Sequence, residues 1–562
     1  MEYTVLCPVA DTDPVALQPL NPRLPTLHGK TIGLFATFKE HWVHILEEIG
    51  RQLQARFDDV ALKRFRYTKD LNAYTQVAEV AKDPEVRPQF EAWIAECDAV
   101  IIANADAGSC TLYLAYNATL AERLGKPAVM TVQTPYMPLA ERAFALRGVP
   151  GMRMVDLGIH DLSMEPDLNA YYRDTLPGLV EAVIDQIIEA LTSQLTQEEA
   201  SPTPPPANLP RVAMTGTLTQ VHDHFYTHKW APGGAIIPPT EDAVREMVAA
   251  SGLPAGELIG VLPPGNGKAS VEKIAVNAVM AGCLPTHMPV LVAAVRAMLD
   301  PRIWIEAYTT SMASWMPMVI VNGPIRHDID VNFDTSYMSP YNRANACIGR
   351  AVGLIIMNIG GVRARIEDMG VVGHEGHFGV CIGENEEASP WEPLHQFNGL
   401  EAGDSAVSLF FPNTRLIGYG MSDAGAVLAG ICDTIPQMGF DPGCAIILSP
   451  KTARVLADAG LSRQGVTDYI VEYARRPAPQ LNVRWMRGNC HDLGLIPLPL
   501  DMSRSVRKVL SGAHLPIIVA GNENSPGGAL YGGGGDHGGP ITKRIDLPAN
   551  WAELVARYQQ VR

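Results

Sequence analysis

In the first 195 residues, short runs of apolar residues alternate with segments whose apolar residues recur at helical spacing. The runs predict buried strands and the spaced segments predict helices, because residues three and four apart share one helix face. We predict strands at 31–38, 60–67, 99–103, 127–132 and 152–158. We predict helices at 40–57, 90–97, 112–124 and 177–191. Such alternation is typical of a parallel sheet with helices on both faces, and it predicts a flavodoxin-like α/β domain.

A proline-rich segment at 196–210 ends this pattern. Proline fixes the backbone and lacks an amide donor, so the run Pro202-Thr-Pro-Pro-Pro206 predicts a stiff, extended linker. Beyond it we predict helices at 240–251, 271–282, 289–299, 342–359, 424–435, 450–459 and 465–474, and strands at 318–322, 406–411, 445–448 and 516–520. The predicted parts are a flavodoxin-like domain at 1–195, the linker at 196–210, and a larger α/β domain at 211–562, built as one unit or two subdomains.

Composition and charge narrow the class of protein. The chain has 562 residues and a net charge of −16, which argues against nucleic acid as a partner because phosphate backbones repel it. No apolar run is long enough to predict a membrane span, and residues 1–11 do not resemble a secretion signal. Nine scattered cysteines without a C-x-x-C motif are typical of a reducing cytoplasm. We expect a cytoplasmic homo-oligomer that binds a small-molecule substrate, no nucleic acid and no membrane.

The strand predicted at 99–103 leads into Gly108-Ser109-Cys110, and a helix follows. The amide groups at the start of a helix stabilise a thiolate, so a cysteine there is a candidate nucleophile. Gly108 permits a tight turn, and Ser109 is able to cap the helix or contact a substrate. The alternative is a small buried cysteine that only packs.

These three residues, set between a strand and a helix, resemble the motif of the UGSC family of proteins and selenoproteins. In that motif, selenocysteine or cysteine precedes Gly-Ser-Cys, whereas Ala107 stands at the first position here. The likeness covers roughly residues 30–191. It implies a UGSC-type domain with a site at Cys110. The departure at Ala107 leaves one thiol in the motif, which favours covalent or acid–base chemistry over a redox pair.

A second group of polar residues follows the long helix predicted at 342–359. Imidazoles and carboxylates move protons or bind divalent metals, although the spacing differs from the H-E-x-x-H of zinc proteases. A metal site, metal-free substrate binding (by Glu384 and Glu386) or acid–base catalysis, and a solvated loop all remain open for this segment. Its candidate residues are His374, Glu375, His377, Glu384, Glu386 and His395.

Further residues are candidates for binding an anionic substrate. Lys268 lies in a glycine-rich loop before a predicted helix, where amides and a cation together favour an anion. Asn322 and Arg326 follow a buried strand, and Arg343 opens a largely apolar helix. Loops after buried strands often carry functional residues. The alternative for each is an ordinary turn.

The hypothesis that joins these signals is a thiol-dependent lyase or group-transfer enzyme acting on a small anionic metabolite. Cys110 would attack the substrate or remove a proton, and the later His-Glu segment would supply proton donors. No histidine lies between His44 and His160, so we expect one group of that segment within about 8 Å of the Cys110 sulfur. The mechanism requires no cofactor, and a divalent metal remains open.

Three other classes of function remain. A thiol redox enzyme would use a resolving cysteine such as Cys283, Cys381 or Cys490. A metal-dependent hydrolase or lyase would centre on His374 and His377. A non-enzymatic sensor or assembly protein would use the same segments only as turns.

Overall fold

A computed structural model describes the chain except for residues 38, 68–78, 160–161, 163–164, 166, 204–207, 419–422, 439–443, 478–502, 504, 508–514, 533–539 and 562. The side chains of Glu375, Phe378, Arg476, Val506, Arg507 and Val561 also lie outside this description. Within the described residues, no helix combines the length and the apolar character needed to cross a membrane.

The strands, numbered in chain order, are β1 (Tyr3–Leu6), β2 (Thr31–Ala36), β3 (Ala61–Arg66), β4 (Ala99–Ala105), β5 (Ala128–Val132), β6 (Arg153–Val155), β7 (Val212–Gly216), β8 (Leu258–Leu262), β9 (Gly267–Ser270), β10 (Met318–Asn322), β11 (Val380–Gly383), β12 (Ala406–Phe410), β13 (Thr414–Ile417), β14 (Cys444–Leu448), β15 (Arg475–Pro477), β16 (Ser505–Arg507), β17 (Ile517–Val519), β18 (Gly528–Gly532) and β19 (Ile541–Arg544).

The helices are α1 (Glu40–Arg56), α2 (Val86–Ala95), α3 (Gly108–Arg123), α4 (Met137–Leu146), α5 (Leu168–Ala170), α6 (Leu176–Thr192), α7 (Gln197–Ala200), α8 (Leu218–Thr227), α9 (Glu241–Ser251), α10 (Val271–Ala281), α11 (Met288–Met298), α12 (Ile305–Thr310), α13 (Ile325–Asp328), α14 (Arg343–Asn358), α15 (Leu394–Phe397), α16 (Ala424–Thr434), α17 (Pro450–Asp458), α18 (Arg463–Tyr473) and α19 (Trp551–Tyr558).

The N-terminal region contains a five-stranded parallel sheet in the order β3-β2-β4-β5-β6. Counted within this sheet, the order is 2-1-3-4-5, the flavodoxin-like arrangement. The predicted flavodoxin-like α/β fold is therefore confirmed. In such sheets, ligands bind at the carboxyl ends of the strands where the strand order reverses, which here lies between β2 and β4.

Burial explains why these strands appear in the sequence as apolar runs. Every residue of β4 and β5 is buried, because helices cover the inner strands of a parallel sheet on both faces. Helix α1 packs beside α6, and α3 packs beside α4. Their apolar faces and the strands share one core.

The region after the linker is also α/β. It contains two four-stranded sheets, in the orders β11-β10-β12-β19 and β13-β18-β14-β17. Helices α10, α11 and α14 pack with the first of these sheets in a second core. The two sheets meet through apolar side chains that include Met318, Ile320, Ile447 and Ile518.

The first strand pairs across the linker. Strand β1 runs antiparallel to β7, with Tyr3 opposite Gly216, and Val5 and Leu6 pack in the second core. The predicted division placed these residues with the N-terminal domain, which differs from the pairing observed. Among the strands that the structure describes, none belongs both to the five-stranded sheet and to a later sheet. Pro204 to Pro206 of the linker lie outside the described residues.

Helix α12, which was not predicted, brings the two regions together. The carbonyl oxygen of Thr310, its last residue, contacts Gly108 at the start of α3. Nearby, the hydroxyl of Tyr113 donates to Glu306 Oε2 at 3.2 Å. The start of α3 therefore lies where the later region packs against the first sheet.

Candidate functional site

Cys110 lies in the first turn of α3, directly after β4. The helix begins at Gly108, earlier than the predicted start at 112, so Ser109 and Cys110 are both helical. Its N-cap residue is Ala107, which has no side-chain group to accept from the first amides. These amides and the helix dipole favour negative charge at the position of Cys110. Cys110 itself is 6% exposed.

Asp106, at the end of the same strand, binds three side chains from the start of α1. Its carboxylate contacts Lys39 Nζ at 2.5 Å and His41 Nε2 at 2.6 Å, and it accepts from Trp42 Nε1 at 3.2 Å. Burial alone would raise the pKa of Asp106. The charges and hydrogen bonds of Lys39 and His41 outweigh burial and hold that pKa well below its usual range. Asp106 is therefore a buried anion with two basic partners.

This cluster lies at the reversal of strand order. Lys39 and His41 follow β2, while Asp106 follows β4, and the two strands are parallel neighbours. Asp106 also immediately precedes Ala107, the N-cap of α3, and lies four residues before Cys110 in the chain. The cluster and Cys110 therefore share one edge of the sheet.

His41 was not among the residues predicted from the sequence. The expected proton donors lie in the later His-Glu segment, whereas His41 directly follows β2, the strand beside β4. The contact spans 65 positions of the chain, and only the strand order brings it about. The available signal was Lys39-Glu-His41 directly after the strand predicted at 31–38.

The later region covers this edge. A Cβ atom added at Gly108 would meet the Thr310 carbonyl oxygen and would lie 2.9 Å from the Cβ of Met369. Only glycine permits so close an approach of the two segments. Cys110 therefore lies at an interface between the two regions.

His374 and His377 lie on the loop that continues from Met369 to β11. His377 Nε2 donates to the Trp315 carbonyl at 2.7 Å, and Nδ1 lies 3.5 Å from Asp368 Oδ2. His374 Nδ1 accepts from the amide of Gly376 at 2.9 Å. The Glu375 side chain lies outside the described residues. An approach of about 8 Å between this segment and the Cys110 sulfur stays a prediction.

An apolar pocket of about 240 Å³ lies beside His377. Tyr308, Trp315 and Phe411 form part of its wall, and Asp368 lies at its polar side. Tyr308 belongs to α12, whose last residue contacts Gly108. The pocket therefore adjoins the segments that cover the start of α3.

His395 lies at the other end of β11. This strand pairs in parallel with β10, so His377 precedes the pair and Glu384 follows it, with about 10 Å of strand between them. His395 is fully buried, and its Nδ1 lies 3.9 Å from Glu386 Oε1. The segment predicted as a single site is thus divided, with His374 and His377 at one end and Glu384, Glu386 and His395 at the other.

The far end is a buried ionic network. Glu384 accepts from Asn322 Nδ2 at 2.7 Å and from Arg463 at 3.0 Å. Arg326 is 2% exposed and pairs with Glu386 at 2.9 Å and with Glu387. These charges compensate each other and join β10 and β11 to the second sheet through Arg463. Asn322, Arg326, Glu384 and Glu386 therefore bind one another.

Lys268 and Arg343 also contact parts of the protein other than the Cys110 turn. Lys268 lies in β9 and pairs with Asp13, and its amide donates to the Asp11 carbonyl at 2.8 Å. Arg343 opens α14 and donates to the Gly282 carbonyl at 3.3 Å. The glycine-rich loop before Lys268 turns into a strand, because β8 and β9 form a hairpin. The predicted anion-binding loop is therefore a hairpin turn.

Metal-ligating side chains do not gather around His374 or His377 in the described part of the chain. The one group of three with mutually close ligand atoms there is the exposed set His28, Asp58 and Asp59. Exposed acidic groups of this kind are common without a metal.

Several other thiols are buried in the two cores. Burial raises the pKa of Cys283 and of Cys381, and both belong to the second core. Burial likewise raises the pKa of Cys97, in the first core, to about 11. The described cysteines form no disulfide, and Cys490 lies outside the described residues.

Comparison with known proteins agrees with the resemblance found at Cys110. The model of the UGSC family matches residues 4–193, and no family is assigned to the rest of the chain. The N-terminal part is therefore a UGSC-like domain that includes Cys110, Asp106 and His41. No curated protein matches the chain.

Proposed function

We propose that the protein is a thiol-dependent enzyme in which Cys110 acts on a small anionic metabolite by lyase or group-transfer chemistry. The observation that supports this most directly is the His41–Asp106 pair at the strand edge from which the Cys110 turn begins. A nucleophile, a base and a carboxylate that orients the base form the recurring unit of thiol and hydroxyl catalysis.

Each of the three groups has a definite task in this proposal. Asp106 holds Nε2 of His41, so Nδ1 is the nitrogen left to exchange a proton with the thiol or the substrate. The Asp106 carboxylate stabilises the imidazolium that forms. The thiolate then adds to an electrophilic carbon and forms a C–S bond, while the displaced electron pair moves to the leaving group. His41 returns the proton to that group.

Positive charge at the same edge supports an anionic substrate. Lys39 Nζ lies 2.5 Å from the Asp106 carboxylate. The backbone amides at the start of α3, which no side chain caps, point toward the strand edge. In this proposal Lys39, which follows β2 at the sheet edge of the Cys110 turn, takes the anion-binding task expected of Lys268 and Arg326. The segment that covers Gly108 limits the space to a small molecule and reduces access of water.

The location we propose is the cytoplasm. Nine cysteines are scattered along the chain, and the described ones form no disulfide. Reduced thiols are the normal state in that compartment, and a thiolate nucleophile requires them.

Selective alkylation tests the proposed function. Folded protein is treated with limiting iodoacetate or with its neutral analogue iodoacetamide, and labelled peptides are quantified by mass spectrometry. We expect Cys110 to be labelled ahead of the other cysteines, with a preference for the anionic reagent. Cys97 is the matched control, because it is buried in the same core and burial raises its pKa to about 11. Equal labelling of Cys97 and Cys110 would contradict the proposal.

A further inference from the structure

Three buried polar side chains at the same sheet edge have unpartnered atoms. Thr37, Asn104 and Gln133 are 1%, 0% and 7% exposed. Among the described residues, no hydrogen-bond partner reaches Thr37 Oγ1, either polar atom of the Asn104 amide, or Gln133 Nε2. Buried polar groups normally have partners, because leaving them unpaired costs stability. Three such groups in one place point to a ligand.

Their positions in the sheet place them together. In the β2–β4 pair, Phe35 lies opposite Ile102, so continuing the register by two residues sets Thr37 opposite Asn104. Gln133 directly follows β5, and its amide donates to the Ala105 carbonyl at 3.0 Å. Strands β2, β4 and β5 are parallel neighbours about 4.8 Å apart, and the three residues occupy neighbouring positions at the carboxyl ends of these strands, where the β4–β5 register shifts between Ile102 and Ala105.

The site is also beside the proposed catalytic groups. Asn104 lies two residues before Asp106 on the same strand end, and Cys110 follows in the first turn of α3. Thr37 precedes Lys39, which contacts Asp106. A ligand held by the three side chains would therefore lie near a cation, a helix start and the thiol.

The kinds of atoms left unpaired indicate the ligand. Asn104 Nδ2, Gln133 Nε2 and the Thr37 hydroxyl are uncharged donors, which match the lone pairs of a carboxylate. Asn104 Oδ1 is an acceptor, which requires a donor on the ligand close to that carboxylate. We propose that Thr37, Asn104 and Gln133 form a subsite for a carboxylate that carries a hydroxyl or ammonium group on the adjacent carbon. The role of Cys110 beside this subsite rests on the proposed function, whereas binding of a ligand to the subsite requires no turnover.

Binding to a Cys110→Ser protein tests the subsite without chemistry. The probes are L-lactate, L-alanine, propionate and L-alaninamide, and the readouts are calorimetric titration and the shift of the melting temperature. We expect lactate or alanine to bind at least about tenfold more tightly than propionate, which lacks the donor, and alaninamide, which lacks the carboxylate. Equal binding of all four probes, or binding of none, would overturn the assignment.

The variant Asn104→Leu separates a binding role from a structural one. It removes an unpaired buried amide, so we expect a higher melting temperature together with loss of lactate or alanine binding. Asn117→Leu is the matched control, because Asn117 is equally buried on α3 but its Oδ1 accepts from the Val80 amide. This control should lower the melting temperature and keep the binding.

A second variant guards against a folding defect. Gln133→Met keeps the length of the side chain and removes the unpaired donor, and it should weaken binding without loss of the fold. Retained binding in both Asn104→Leu and Gln133→Met would overturn the subsite. If the hydroxy or amino acid binds but Cys110 is not alkylated selectively, the proposed function fails and the subsite stands. If Cys110 is alkylated selectively but no probe binds, the subsite fails and the proposed function stands.

Discussion

His41 Nε2 lies 2.6 Å from Asp106 Oδ2, although 65 positions separate the two residues in the chain. The contact exists because β2 and β4 are parallel neighbours whose carboxyl ends meet at one edge. It places a basic residue at the same sheet edge as the Cys110 turn. In the proposed function this residue exchanges the proton with the thiol.

Replacing His41 tests that role. In His41→Gln, the side chain keeps a polar group near Asp106 but loses the proton acceptor. We expect the rate of Cys110 alkylation at neutral pH to fall by about tenfold, since the thiolate loses its basic partner. His44→Gln is the control, because His44 lies on the same helix as His41 but its ring stacks on Tyr172. An unchanged rate in His41→Gln would remove His41 from the mechanism.

Asp106 also stabilises the fold. In Asp106→Asn, Lys39 and His41 lose the buried anion that they share, and we expect the free energy of unfolding to fall by about 3 kcal/mol. The pKa of Asp106 is lowered in the fold, so its stabilising effect is present above the ordinary pKa near 3.9 and is lost as pH falls below it. Denaturant titrations should therefore show a difference between wild type and variant that shrinks below about pH 4. A difference independent of pH would contradict this.

A buried histidine in the second region predicts acid sensitivity. Burial, aided by the charge of Arg343, lowers the pKa of His287 to about 3. In the unfolded chain His287 is protonated below about pH 6.5, whereas in the folded protein it stays neutral down to about pH 3. The free energy of unfolding therefore falls by on the order of 4 kcal/mol as pH decreases from about 6.5 toward 3.

His287→Asn provides the comparison. Asn retains an acceptor for the Leu284 amide, which donates to His287 Nδ1 at 3.3 Å, but does not titrate. The variant should therefore lose less stability than the wild type over this pH range, as measured by urea unfolding. Parallel pH profiles of the two proteins would refute the assignment.

The close contact between Gly108 and the Thr310 carbonyl predicts that a larger side chain at position 108 destabilises the protein. Alanine is the better helix former by about 1 kcal/mol, but a methyl group here meets the Thr310 carbonyl and Met369. Overpacking of this kind costs about 1–3 kcal/mol, so we expect Gly108→Ala to destabilise the protein. Gly178→Ala in α6 is the control, because no atom lies within 4 Å of the added group, and it should be neutral or stabilising. Equal effects of the two substitutions on the melting temperature would show that the contact is unimportant.

Elements with strong local signals could be predicted from the sequence. The five strands of the first sheet and helices α1, α3 and α6 follow from apolar runs and helical spacing, and each was predicted with small differences at its ends. The strand β4 and the turn at Cys110 were also placed together correctly. Helix α12 has only six residues, too few for its spacing to stand out.

Contacts between distant segments could not be predicted in the same way. The pairing of β1 with β7 joins two strands that lie on either side of the five-stranded sheet in the chain. Likewise, proximity in sequence suggested that His377 and His395 act together, but a strand lies between them. His41 was missed for the converse reason, because its partner lies on a neighbouring strand far away in the chain.

The rate of Cys110 alkylation in folded protein, relative to the unfolded chain at neutral pH, tests the central claim most directly. Burial alone protects a thiol, and Cys110 is 6% exposed. The proposed function predicts that Cys110 reacts faster with iodoacetamide in the folded protein than in urea, while Cys97 reacts more slowly when folded. Protection of Cys110 to the same degree as Cys97 would contradict its role as the nucleophile.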